Sequence, residues 1–149
     1  GFLAGMVEFG PGMELISTNQ YAGATIEKAI QASQNLLNRF PDVQGVFCPN
    51  ESSTQGMLRA LQMGGKAGKV MFVGFDANDT LVAALKGDEI QGLALQNPFK
   101  MGYWGVRSAL AVLEGKEVPK RIDTGIVLAT RENIATPQVA ALLNPALMK

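Results

Sequence analysis

Short apolar runs that alternate with longer helical stripes constrain the fold of this chain more than any other feature. Continuous apolar segments at 43–48, 69–75 and 90–96 are typical of strands that are buried on both faces. Between them, apolar residues recur at helical spacing, and Gly or Pro ends each stretch. Because parallel strands need a helical crossover, the alternation predicts an α/β fold with a mostly parallel sheet in a doubly wound, three-layer α/β/α arrangement. We expect one domain over residues 1–149.

Weaker signals extend this pattern toward both ends of the sequence. Residues 13–18 and 122–130 are predicted as further strands. Residues 2–9 are predicted as a helix, which the Gly-Pro-Gly at 10–12 ends. The tail from 136 to 149 is predicted to contain a short docked helix.

Polar side chains follow the three buried strands at the point where each strand ends. Asn50 and Glu51 follow the first strand, Asp76 follows the second, and Gln96 ends the third. Ligands of an open parallel sheet bind outside the carboxyl ends of its strands, so these residues are predicted to share one rim, with Tyr21 on a neighbouring loop. Amides donate and accept, a carboxylate accepts from adjacent hydroxyls, and a ring covers C–H patches. The set therefore predicts a site for a polyhydroxylated ligand such as a sugar.

Each of these residues also has a purely structural interpretation. Asn50 and Asp76 are residue types favoured at helix N-caps. Glu51 at a helix start interacts favourably with the helix dipole. Gln96 precedes an Asn-Pro pair and can be an ordinary turn residue. Tyr21 is an aromatic residue, a type that more often packs against other side chains than binds sugar. The sequence alone leaves both interpretations open.

The composition argues against several other classes of function. The chain has no histidine and one cysteine, Cys48, which removes the commonest general base and the usual zinc ligands. Thirteen basic residues balance thirteen acidic ones without a basic cluster, so no nucleic-acid partner is expected. No apolar run approaches the roughly 20 residues that span a bilayer. We expect a binding protein without metal, cofactor or catalytic activity.

The strand ends, with the text around them, resemble one known family along nearly the whole chain. The matching segments are "QASQNLLNRFPDVQGVFCPNESSTQGMLRALQ", "GKVMFVGFD", "LKGDEIQGLALQNPFKMGYWGV" and "LEGKEVPKRIDTGIVLATREN". They are similar to the C-terminal lobe of ribose-binding-protein-type (LacI-like, type I) periplasmic sugar-binding proteins. These are the solute receptors of sugar ABC transporters, and LacI-type regulator cores share their fold.

The resemblance implies a function and a set of site residues. It implies that a monosaccharide, a pentose or hexose, is held between two lobes outside the cytoplasm and passed to an ABC permease. Asn50, Asp76 and Gln96 match the family's sugar-contacting positions in this lobe. The family's aromatic residue near the helix at Thr25 is matched by Ala24, and Tyr21 is a candidate substitute for it. The alternatives are the effector-binding core of a LacI-type regulator and, as a third, a sugar-processing hydrolase.

The chain departs from the family pattern at its beginning. The lobe's first strand and the Arg that usually precedes "GF" are missing from the sequence. That strand is central in a flavodoxin-like order, so its loss is expected to expose the edges of its neighbours. We expect that the chain forms a homodimer, swaps a strand, or is a processed fragment of a longer protein.

Overall fold

The computed structural model describes residues 1–144, in which helices and strands alternate from residue 26 onward. The helices are α1 (Phe2–Phe9), α2 (Ile26–Arg39), α3 (Glu51–Met63), α4 (Asp79–Lys86), α5 (Pro98–Leu113) and α6 (Pro137–Leu143). The strands are β1 (Gly45–Phe47), β2 (Met71–Phe75), β3 (Gly92–Gln96) and β4 (Ile126–Ala129). The predicted α/β class with a mostly parallel sheet is confirmed.

The four strands form one sheet in the order β1-β2-β3-β4. β1, β2 and β3 run parallel, with Phe47 opposite Val73 and Val73 opposite Gly92. β4 runs antiparallel to β3 and closes that side of the sheet, with Gln96 opposite Ile126. The carboxyl ends of β1, β2 and β3 therefore lie at one edge of the sheet, as the predicted parallel direction requires.

Helix α3 packs closely on one face of the sheet because glycines remove the side chains that would hold it away. A Cβ at Gly74 in β2 would lie 2.2 Å from Cγ2 of Thr54 in α3. A Cβ at Gly56 would lie 2.4 Å from Cβ of Ala29, so α2 packs closely against α3. Between α3 and the sheet lie fully buried side chains, including Phe72 and Leu58. This tight packing fixes the start of α3 relative to the end of β2.

The opposite face of the sheet carries α1 and is less covered. The rings of Phe2 and Phe47 stack with centroids 4.5 Å apart. Phe47 pairs with Val73, whose side chain points away from the α3 side that Gly74 faces. Neither α1 nor α5 contributes a buried residue. Apolar side chains of the strands remain exposed on this face, namely Met71, Ile126 and Leu128.

The prediction of a strand at 13–18 was wrong, because this segment is irregular. A strand exists only through its ladder, and no backbone hydrogen bond joins 13–18 to the sheet within residues 1–144. β1 is consequently the edge strand. The amides of Met71 and Cys48 pair across the β1–β2 ladder with Gln44 and Val73, so the backbone groups of the odd-numbered residues in β1 point outward.

The other predicted elements are present with shifted ends. The strands predicted at 43–48, 69–75, 90–96 and 122–130 are observed as the shorter β1 to β4. The predicted terminal helix is α6, anchored by the buried Val139, and the last five residues of its predicted range lie outside the described part.

Within residues 1–144, none of the helices has the length and apolarity that crossing a membrane requires.

Candidate functional site

Three helices begin at the edge of the sheet where β1, β2 and β3 end. The first residue before each helix is an asparagine whose side-chain oxygen accepts a backbone N–H of the first turn. The pairs are Asn50 with Ser53, Asn78 with Leu81 and Asn97 with Lys100, at 2.9, 3.0 and 2.9 Å. The capped N-termini of α3, α4 and α5 thus lie along one rim. Each of these N-termini is the positive end of a helix dipole.

Asp76 and Gln96 meet at this rim. The Gln96 Nε2 group donates to Oδ1 of Asp76 over 2.9 Å. Asp76 has φ 62°, a left-handed conformation that costs energy for a residue with a side chain. Because Asn78 caps α4, the structural interpretation of Asp76 as an N-cap is wrong. In residues 1–144, the second oxygen of Asp76 and the amide oxygen of Gln96 accept no hydrogen bond.

Asn50 combines the structural role with a free donor. Its Oδ1 accepts from the Ser53 backbone, from the Ser53 hydroxyl at 2.8 Å and from the Ser52 hydroxyl at 3.2 Å. Its Nδ2 group donates to no residue in the described part of the chain. The cap interpretation of Asn50 is therefore confirmed, and the same side chain still presents an N–H donor at the rim.

Glu51 links two of the helix starts. It is the first residue of α3, and its Oε1 accepts from Nδ2 of Asn78 over 2.6 Å. This hydrogen bond joins the α3 and α4 N-termini on the solvent side of the rim. A carboxylate in this position also offsets the positive end of the α3 dipole, as the sequence interpretation allowed.

Tyr21 lies in the irregular segment before α2, and 93% of its surface is exposed. It lines a cavity of about 370 Å³ together with Asn50, Cys48 and Met57. Asp76 and Gln96 do not line that cavity. The structure thus brings Tyr21 and Asn50 to one cavity, while the Asp76–Gln96 pair lies outside it, at the ends of β2 and β3 on the same rim.

Cys48 lies under the rim and is only 6% exposed. Burial raises the pKa of its thiol from 9.0 to about 12, and a hydrogen bond with Ser53 offsets a small part of this effect. The thiol is therefore a neutral, unreactive group at ordinary pH. No cluster of His, Cys, Asp and Glu able to hold a metal ion occurs in residues 1–144.

The rim presents neutral amides, the carboxylates of Asp76 and Glu51, and capped helix starts, which suits hydroxyl groups that both donate and accept. The sequence also places Asn78 and Asn97 after the second and third strands, on the same rim, and the structure shows that each of them caps a helix. Sequence reasoning missed one participant. Thr54 looks like a core-facing helix residue in the sequence, and its hydrogen bonds across the fold appear only with the strand register.

Comparison with known proteins assigns the chain to a family. Residues 1–117 match the periplasmic binding protein domain, and the chain belongs to that family. It is 38% identical over 105 residues to the ribose import binding protein of Salmonella typhimurium, which covers 70% of this chain and 35% of that protein.

A solved structure is similar over almost the entire chain. It is a carbohydrate transporter solute-binding protein from Agrobacterium radiobacter in complex with D-arabinose, with a TM-score of 0.87 and 34% identity. The match covers 96% of this chain and 48% of that one. A Brachyspira murdochii structure described as an ABC transporter, LacI family transcriptional regulator is less similar, with a TM-score of 0.66 and 26% identity over 76% of this chain. The chain thus spans about a third to a half of the relatives it matches.

Proposed function

We propose that this chain is a sugar-binding lobe, the C-terminal one, of a solute-binding protein that serves a sugar ABC transporter. In this function a monosaccharide lies between two lobes, and residues 1–149 supply one wall of the site. Asn50, Asp76 and Gln96 hydrogen-bond its hydroxyl groups, and Tyr21 covers an apolar face of the sugar. Glu51 lies at the margin, where its bond to Asn78 holds the rim.

The observation that carries this proposal is the Asp76–Gln96 pair at the carboxyl ends of β2 and β3. The hydrogen bond orients both side chains before a ligand arrives and leaves an acceptor on each. Preorganised polar groups avoid the cost of ordering side chains on binding. The relatives' names support a pentose or related sugar, since one is a ribose-binding protein and one holds D-arabinose.

The proposal extends to partners and location. Sugar closes the two lobes of the complete protein, and the closed form presents a surface to the ABC permease. The site lies on the extracytoplasmic side, in the periplasm, where the membrane contact is made through the transporter. The chain binds without catalysis, cofactor or metal, and it has no nucleic-acid partner.

The regulator core is the less favoured alternative. The structure with a regulator description is less similar than the sugar-bound transporter protein, both in TM-score and in the share of the chain that it covers. A sugar-processing hydrolase is less favoured still, because the carboxylates Asp76 and Glu51 are each held by an amide.

The sharpest test is calorimetric titration of the chain with a panel of pentoses and hexoses, beginning with D-ribose and D-arabinose. We expect saturable binding of one sugar, weakened about tenfold or more by Asp76→Asn, because a charged acceptor is lost. Asparagine tolerates the left-handed backbone at this position, so the fold is retained.

Asp79→Asn is the matched control. Asp79 is an exposed carboxylate in the first turn of α4, three residues from Asp76. The Asp79→Asn substitution should leave the sugar affinity unchanged, although it changes the net charge by the same amount as Asp76→Asn. Equal effects of the two substitutions would indicate general electrostatics and contradict a contact at Asp76. No binding to any sugar would overturn the proposal for this chain by itself.

We also propose that the isolated chain associates with a second copy, as a homodimer or by strand exchange. The support is the outer edge of β1, which pairs with no strand in residues 1–144, and the exposed apolar side chains Met71, Ile126 and Leu128 on the less covered face. Unpaired strand edges pair readily with other chains.

A further inference from the structure

The Thr54 hydroxyl joins two segments of the rim that are far apart in the sequence. Thr54 is fully buried in the first turns of α3. Its Oγ1 donates to the backbone carbonyl of Asn50 over 2.7 Å and accepts the backbone N–H of Phe75 over 3.0 Å. One hydroxyl therefore joins the N-cap residue of α3 to the last residue of β2.

The Phe75 amide needs this partner because β1 ends too early to supply one. Asp76 N–H donates to Ala94 of β3, so the N–H of the preceding residue, Phe75, points toward β1. The last ladder bond from β1 is that of Cys48 to Val73, after which Pro49 turns the chain away. The Thr54 hydroxyl replaces the missing rung, and it satisfies a buried N–H that would otherwise be unpaired.

The packing leaves the hydroxyl little freedom. A Cβ at Gly74 would lie 2.2 Å from Cγ2 and 3.0 Å from Oγ1 of Thr54, so the threonine fills the space above that glycine. Its rotamer is thereby fixed with the methyl on the sheet. The next residue after Phe75 is Asp76, which adopts φ 62° and accepts from Gln96. The chain of contacts thus runs from Asn50 through Thr54 and Phe75 to Asp76 and Gln96.

We infer that Thr54 is a positioning residue for the sugar site, one that fixes the spacing of Asn50 and the Asp76–Gln96 pair without touching the ligand. Side chains that bind a rigid ring must be held at fixed separations by packing and by hydrogen bonds behind them. The buried Thr54 side chain hydrogen-bonds the backbone of both Asn50 and Phe75, the residue before Asp76. The expected effect on sugar affinity rests on the proposed function. The role of Thr54 in holding Asn50 and Phe75 together can be tested without a ligand.

The test compares three substitutions. Thr54→Val keeps the shape and removes the hydroxyl, while Thr54→Ser keeps the hydroxyl and removes the methyl. Ile90→Val is the control, a fully buried position just before β3, at the end of the sheet away from the rim. The melting temperatures of all variants are measured, so that effects on the site can be separated from a general loss of stability.

The first readout is amide hydrogen exchange and the side-chain NH₂ signals in NMR spectra of the free protein. We expect Thr54→Val to lose protection at the Phe75 N–H and to shift the Gln96 NH₂ signals, and Thr54→Ser to restore both. Ile90→Val should leave these signals as in the parent chain. Unchanged Phe75 protection and Gln96 signals in Thr54→Val would overturn the inference.

The second readout is titration with D-ribose and D-arabinose. Loss of one buried hydrogen bond predicts affinity weaker by about fivefold to tenfold in Thr54→Val, with Thr54→Ser close to the parent. Ile90→Val should bind like the parent at a comparable drop in melting temperature. If the two destabilised variants weaken binding equally, the positioning role is wrong while the sugar site stands. If the parent binds no sugar, the proposed function fails, and the NMR readout alone decides whether Thr54 holds the two segments.

Discussion

Among single residues, Cys48 has an ionisation that folding changes strongly. Burial raises the pKa of its thiol from 9.0 to about 12. Below pH 9 both folded and unfolded chains hold the proton, so the thiol adds no pH dependence. Above pH 9 the unfolded chain releases the proton first, and the free energy of unfolding falls with rising pH at about 1.4 kcal/mol per pH unit.

Urea denaturation followed by circular dichroism between pH 8 and pH 10.5 measures this effect. Cys48→Ala removes the thiol, so the difference between the parent and Cys48→Ala isolates it from the titration of Lys and Tyr. We expect that difference to fall by about 2 kcal/mol over the range above pH 9. Parallel curves for the two proteins would show that the thiol ionises in the folded state as it does in the unfolded one.

Among the elements, the contact of α3 with β2 depends on the absence of a side chain at Gly74. Gly74→Ala places a methyl 2.2 Å from Cγ2 of Thr54 and 3.2 Å from Cδ2 of Leu93. We expect a loss of about 1–3 kcal/mol in the free energy of unfolding, because overpacking moves α3 off the sheet. Gly45→Ala is the matched control on edge strand β1, where the nearest atom would be 3.6 Å away. It should stay within about 0.5 kcal/mol of the parent in the same denaturation experiment.

A double substitution makes this prediction sharper. Thr54→Ser removes the methyl that Gly74→Ala would strike, so the double variant should recover part of the stability that Gly74→Ala loses. Additive losses from the two substitutions would place the strain elsewhere, at Leu93 or in the β2 backbone.

The elements that sequence reasoning located well are those with local causes. α3 and α4 begin at asparagine caps that the sequence displays, and β2 is an uninterrupted apolar run that Gly and Lys precede. The segment 13–18 has strand-like residues, yet a strand depends on a neighbour that local sequence does not specify. The antiparallel direction of β4 is likewise a property of its pairing with β3.

The candidate site likewise has features that the sequence predicts and features that only the folded structure shows. The positions of Asn50, Asp76 and Gln96 after buried strands made their common rim predictable, because parallel strands end at one edge. Which of their polar atoms stay free was not predictable, since it depends on the caps and on the bond between Asp76 and Gln96. The hydrogen bond between Thr54 and Phe75 was also not predictable, because the two residues are 21 positions apart and only the folded sheet brings them together.

For the whole molecule, the free edge of β1 decides how the isolated chain behaves in solution. Gly45 and Phe47 point their backbone N–H and C=O groups away from β2, and a cavity of about 530 Å³ runs beside them, lined also by Phe2, Met13 and Leu15. An open backbone edge next to apolar walls favours pairing with an extended segment of another chain. We therefore expect the purified chain to sediment as a dimer at micromolar concentration and to shift toward monomer on dilution.

Gly45→Pro tests whether the β1 edge is the contact. Proline is tolerated on an edge strand where its missing N–H would face solvent, and it removes an outward donor that a second chain needs. We expect this variant to sediment as a monomer with its circular dichroism spectrum retained. Leu128→Lys is the comparison, since it places a charge on the exposed sheet face at β4, at the side of the sheet opposite β1. If Leu128→Lys dissociates the dimer and Gly45→Pro does not, association occurs through the uncovered sheet face. If the parent chain is monomeric at all concentrations, the homodimer is wrong.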